Sequence, residues 1–107
     1  MAQMMNYIEG KDYKFKAAYS VLDKAELEDL VLVIYDYMEL PKSEAQNNFI
    51  AYDKNGKKIW VAESPGEKVS AYYNFSSLTP LVANSFCSHT CTINKDNGKL
   101  IKKVFCK

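Results

Sequence analysis

Apolar residues fall in short runs, some dense and some alternating with polar residues, broken by Gly, Pro, Asn and Asp. In YKFKAAYSVL, residues 13 to 22, Tyr13, Phe15 and Ala17 alternate with Lys14 and Lys16, the pattern of a half-buried strand. The following segment, LDKAELEDLVLVIYDYMELP, carries two competing periods. Asp23 and Glu26 have the spacing of a capping box, and Leu27, Leu30, Val31, Ile34 and Met38 recur at helical intervals until Pro41. Yet VLVIYDY, residues 31 to 37, is a dense β-branched and aromatic run of strand length. The pattern predicts a short turn or helix near 23–29 and then a buried strand, with one helix over 24–39 as the alternative.

Beyond it, PKSEAQN at 41 to 47 reads as a loop. NFIAYD (48 to 53) and KKIWVAE (57 to 63) read as strands joined through Lys54-Asn55-Gly56. Asn-Gly between apolar runs signals a tight I′ hairpin, whose two central residues both need positive φ. Ser64-Pro65-Gly66 turns the chain. Further strands are predicted for VSAYYNF (69 to 75), LTPLVANSF (78 to 86), 91–94 and 100–106, with Asp96-Asn97-Gly98 as a second hairpin turn. The prediction is an all-β single domain over 1–107. About eight antiparallel strands form two consecutive blade-like sheets that pack as a sandwich or open barrel.

The two hairpins resemble one another: NFIAYDKNGKKIW and CTINKDNGKLIK lie roughly 42 residues apart, a period of four-stranded propeller blades. Ala51-x-Asp53-x-Asn55-Gly56-Lys57-x-x-Trp60 resembles the AxDxxTGKxxW pattern of quinoprotein-type (PQQ-like) β-propeller repeats, one residue short between Asp53 and Gly56. The second copy keeps the family spacing from Asn94 to Gly98 but has Asn94 for the Asp and Lys102 for the Trp. The resemblance implies that Trp60 packs between neighbouring blades. It carries over no quinone cofactor, since two blade-equivalents cannot enclose a propeller axis, and none is expected. The order of VLVIYDY, loop, IAYDKNGKKIW and NGKLIKKVFCK is also similar to small uncharacterised bacterial proteins, which implies a bacterial or phage-type origin.

Composition narrows the function classes. Hydrophobic residues make up 48% and charged residues 25% of 107 residues, ordinary globular usage that supports one core. Eight Tyr and five Phe favour pleated, half-buried surfaces. Fourteen basic against thirteen acidic residues give a net charge of +1 without a basic cluster, which argues against nucleic acid. No run approaches the ~18 apolar residues of a membrane span, and the opening Met-Ala-Gln-Met-Met-Asn lacks a signal-peptide pattern. The expected compartment is the cytoplasm, and three cysteines, an odd number, point to reduced thiols.

Candidate chemistry centres on FCSHTC, residues 86 to 91, with Cys106 near the C-terminal end. On a straight strand Cys87, His89 and Cys91 would spread over roughly 13 Å, whereas zinc needs ligands converging at ~2.0–2.3 Å. A reversal at Ser88-His89-Thr90 would bring Cys87 near Cys91, and a hairpin about Asn97-Gly98 would set Cys106 opposite 88–89. Buried thiols beside a solvent-facing His89 are the expected state, and a zinc set of Cys87, His89, Cys91 and Cys106 the alternative. Glu26, Glu28 and Asp29 read as solvated charges, and Asp53 and Asp96 as turn formers. No phosphate-binding or nucleophile-elbow motif occurs, and no catalytic residue is assigned.

Tyr35 and Tyr37 are expected to share one strand face, and Tyr72 and Tyr73 to point to opposite faces. With Trp60 they are the interaction candidates, because tyrosine and tryptophan anchor interfaces. The expected function is a non-enzymatic interaction module that binds a protein partner or a second copy of itself. The alternatives are a sugar or nucleotide pocket built from Tyr, Trp and Asn between the sheets, and the metal-stapled domain.

Overall fold

A computed structural model describes residues 7–65, 71–86 and 88–105. Ten strands occur among them: β1 (Tyr7–Gly10), β2 (Tyr13–Lys16), β3 (Val21–Leu27), β4 (Leu30–Tyr35), β5 (Phe49–Tyr52), β6 (Lys58–Val61), β7 (Tyr72–Leu78), β8 (Leu81–Ser85), β9 (His89–Ile93) and β10 (Leu100–Phe105). β1 and β2 form a hairpin. β3 to β6 and β7 to β10 each form a four-stranded antiparallel sheet in chain order. The two sheets pack face to face, so the molecule is an all-β, sandwich-like stack of two consecutive meanders.

Alternation within the strands builds two cores. Leu32 and Ile34 of β4, with Phe49 and Ala51 of β5, face the second sheet and meet Tyr72, Leu81, Ala83, Cys91 and Ile93. Val31, Val33 and Tyr35, with Ile50 and Tyr52, face the other way, under Ile8, Tyr13 and Ala17 of the N-terminal hairpin and its exit. β4 is therefore covered on both sides, which is why its sequence is apolar without a clear period. Each large apolar side chain fully buried here contributes about 1.5–3 kcal/mol.

Polar side chains fix the sheets to each other. Asn48, fully buried, donates from Nδ2 to the carbonyls of Tyr35 and Tyr72 at 2.8 Å each, and its Oδ1 accepts the Tyr72 N–H at 3.0 Å. The Asp23 carboxylate accepts the Phe75 N–H at 2.9 Å. The first sheet thus satisfies backbone groups of β7 that its own sheet leaves unpaired on that edge.

Several expectations need correction. Residues 23–29 form most of strand β3, not a turn or helix, and the helix over 24–39 does not occur. β3 pairs with β4 in the register Leu27↔Leu30, and the reversal is a two-residue turn at Glu28-Asp29, with Glu28 at φ 58°. The supposed capping pair is engaged elsewhere, Asp23 on β7 and Glu26 as acceptor of the Tyr13 hydroxyl. The strand expected over 13–22 is split, because β2 ends at Lys16 and β3 begins at Val21. LTPLVANSF is also divided: Thr79-Pro80 makes the turn between β7 and β8, since proline cannot donate to a central ladder.

Neither Asn-Gly site is a I′ turn. At the first, only Gly56 has positive φ (85°); its N–H donates to the Asp53 carbonyl, and the Asp53 N–H donates to Lys57, closing a three-residue loop. The Asp53 Oδ1 accepts the N–H groups of Asn55 and Lys57, a side-chain turn that favours this longer form. In the second copy Asn94, rather than Asp96, takes that role: its Oδ1 accepts the Asp96 N–H, and the Asn94 N–H donates to Lys99 across a four-residue loop. The one-residue difference between the two repeat copies is the difference between these loops.

Candidate interaction surface

Of the five aromatic candidates, three are interior. Tyr35 and Tyr72 have no exposed surface, and Trp60 is buried between the sheets. Trp60 packs on Phe49 with ring centroids 5.5 Å apart, and its Nε1–H donates to the Lys95 carbonyl at 2.9 Å. A Cβ on Gly98, itself at φ 77°, would lie 2.5 Å from the Trp60 ring, so the second hairpin turn closes directly over the indole. Tyr35 and Tyr37 do not share a face: β4 stops at Tyr35, Asp36 caps a 3-10 turn over Tyr37–Glu39, and Tyr37 leaves the sheet.

Tyr37 and Tyr73 come together through a residue the sequence reading passed over. Phe86, held by an N–H bond to the Ala71 carbonyl at 2.9 Å, lies between them. Its ring centroid is 5.0 Å from Tyr37 and 4.8 Å from Tyr73, both tilted contacts of the kind aromatic pairs prefer. Phe86 is 47% exposed and Tyr73 38%, and Met38 beside Tyr37 reaches 77%. Neither tyrosine hydroxyl is hydrogen-bonded among the described residues. The cluster is thus an apolar surface with two free polar tips, assembled from the 36–40 turn, strand β7 and the exit of β8. Tyr72 and Tyr73, consecutive on β7, point to opposite sides, one into the core and one into this cluster. The available signal for Phe86 was its place just past an alternating strand, where a large apolar residue has no sheet to cover it.

Of the Cys and His candidates, His89 and Cys91 are described, and both lie on β9. His89 is not at the tip of a reversal: Ser88, at φ 67°, makes the turn with its N–H on the Ser85 carbonyl, and His89 opens β9. His89 stacks edge-on against Phe105, its register partner, at 5.7 Å. Cys91 is fully buried in the core between the sheets, beside Ala83. Cys87 and Cys106 lie outside the described residues, and no group of three metal-ligating side chains occurs among the described ones.

Side chains also fill the space where a ligand pocket was the alternative expectation. Phe49, Trp60 and Tyr72 occupy the middle of the inter-sheet volume, and Asn48 spends its amide on backbone groups there. Titration is perturbed most strongly at two phenols, and hydrogen bonds to Asp12 and Glu28 raise Lys54 and Lys95. Burial, then a hydrogen bond to Glu26, pushes the Tyr13 hydroxyl up, and burial with the Tyr35 hydroxyl does the same at Tyr52. Glu39, which accepts the Ser20 N–H, is held below the usual carboxylate range. None of these groups forms a nucleophile and base pair with another. Among the described residues, no helix is long and apolar enough to cross a membrane.

Comparison with known proteins gives the fold a relative. The solved structure of BamB from Moraxella catarrhalis, a β-propeller protein with PQQ-like repeats, superposes with a TM-score of 0.55 at 10% sequence identity. The match covers 88% of this chain and 27% of BamB, so the chain spans about a quarter of that protein, and at this identity the likeness is one of fold. No curated protein matches the sequence. A family model described as Domain of unknown function (DUF7957) matches residues 7–105, and the chain belongs to that family.

Proposed function

We propose that the domain is a non-enzymatic interaction module of the cytoplasm that docks a protein partner on the Tyr37, Tyr73 and Phe86 cluster. The observation that carries this reading is the gathering of three rings from separate segments into one exposed patch. Tyr and Phe bury large rigid areas at low entropic cost, and the two free hydroxyls supply the polar contacts that orient a partner. We further infer that the two sheets are blade equivalents of the PQQ-like repeat type. Trp60 between the sheets and the matching Asp53 and Asn94 turns support that assignment. The odd number of cysteines supports a reducing compartment.

Affinity capture from the source cell, run in parallel with a Tyr73→Ser/Phe86→Ser variant, tests the reading. The wild-type chain should retain a stoichiometric protein, or form a dimer by light scattering, and the variant should lose it while keeping its circular dichroism spectrum. Equal capture by both chains, or an inert monomer in each case, would exclude this surface.

A further inference from the structure

The far face of the first sheet is covered only in part by the N-terminal hairpin. Over β5 and β6 it opens into a groove of about 640 Å³, inside the roughly 300–1,000 Å³ of small-molecule sites. Cross-strand pairs Ile50↔Val61 and Tyr52↔Lys58 supply its floor, and Tyr19 and the loop bearing Glu44 and Asn47 line its sides.

A proton count singles out Tyr52. The Tyr35 and Tyr52 hydroxyls lie 2.7 Å apart, and the Tyr35 Oη also accepts the Ala18 N–H at 3.3 Å. Two hydroxyls own two protons, and the bond between them uses one. Tyr35 is fully buried and its other neighbour is a donor, so its proton must go to Tyr52. The Tyr52 proton then has no acceptor among the described residues, although Tyr52 is only 8% exposed and lines the groove. Burial pushes its pKa up, so the phenol keeps that proton.

The remaining lining groups narrow the ligand. The side chains of Glu44, Asn47 and Lys58 make no hydrogen bond to the described protein, whereas Glu63 spends Oε1 on the Leu100 N–H. Glu44 and Glu63 outnumber Lys58, so the lining carries a net charge of −1, which disfavours a phosphate or other anion. Donors and acceptors are mixed above an apolar floor, which suits a neutral ligand with hydroxyl groups on its rim and a C–H face below. We propose that this groove binds a neutral carbohydrate ring, with an oxygen of the sugar accepting the Tyr52 proton and its hydroxyls bridging Asn47 and Glu44.

Amide chemical-shift titration of the labelled full chain with glucose, N-acetylglucosamine and maltose tests the site, with sodium phosphate and leucine as charged probes. At least one sugar should give saturable shifts at Tyr52, Asn47 and Lys58. Tyr52→Phe should weaken that binding about fivefold, the worth of one neutral hydrogen bond. If Tyr52→Phe does not fold, Asn47→Ala on the loop should give a similar loss. The proposal is overturned by saturation with phosphate or leucine alone, or by undiminished binding in the folded variant. It is equally overturned if no sugar saturates the site at up to roughly 100 mM, far beyond specific affinities.

Discussion

Replacing Asn48 with Ala removes three hydrogen bonds at the junction of the two sheets. The groups stranded are the carbonyls of Tyr35 and Tyr72 and the N–H of Tyr72, all on residues without exposed surface. Each bond contributes about 1 kcal/mol net, and a buried group left dry costs about 1–3 kcal/mol. A water entering the vacated space would recover part of that. The expected loss is therefore about 3 kcal/mol, and at about 4 °C or more per kcal/mol for a domain of this size the thermal midpoint should fall by at least ~12 °C. Urea unfolding followed by fluorescence measures the loss, with Asn55→Ala, at an exposed turn position, as control. The Tyr72 amide should also lose hydrogen-exchange protection before amides of β4 do. A loss under ~1 kcal/mol with unchanged Tyr72 protection would refute the role given to Asn48.

Other consequences follow from the same geometry. Gly98→Ala meets both the left-handed backbone and the Trp60 ring, and should cost more than the ~1 kcal/mol typical of a left-handed residue alone, read from the denaturation midpoint. Trp60→Phe keeps the stacking on Phe49 but strands the Lys95 carbonyl; it should destabilise by about 1–3 kcal/mol in the same assay. The raised phenols set an alkaline limit: their protons are held in the folded state, so stability is full below pH ~10, the unfolded phenol value, and falls as pH rises past it. Absorbance titration should show Tyr13 and Tyr52 ionising only together with unfolding; early ionisation of every tyrosine would contradict it. Lys54→Ala, which removes an exposed pair with Asp12, should leave the midpoint unchanged.

The two meanders were legible because their signals are local and repeated. Gly56 and Gly98 mark hairpins flanked by apolar-rich runs, and Trp60 ends the first copy, buried between the sheets. β3 was not legible, because an edge strand carrying Asp23, Lys24 and Glu26 has the composition of a helix start. Pairing with β4 and the contact of Asp23 with β7 override that local preference, and neither partner is visible from the segment itself. The aromatic surface was half legible: Tyr37 and Tyr73 were named, but Phe86 joins them only through the path of the chain after β8. Asn48 and the Tyr35 and Tyr52 hydroxyl pair carry no sequence mark at all, since their partners are backbone groups and side chains distant in the chain.

A photo-crosslinking residue placed at Tyr73 in the living source cell asks directly whether the aromatic cluster is a docking surface. It should yield one discrete adduct, a partner or a second copy of the chain, that Phe86→Ser abolishes and that the same probe at Asn55 does not form. No adduct at Tyr73, or the same adducts from both positions, would contradict the assignment.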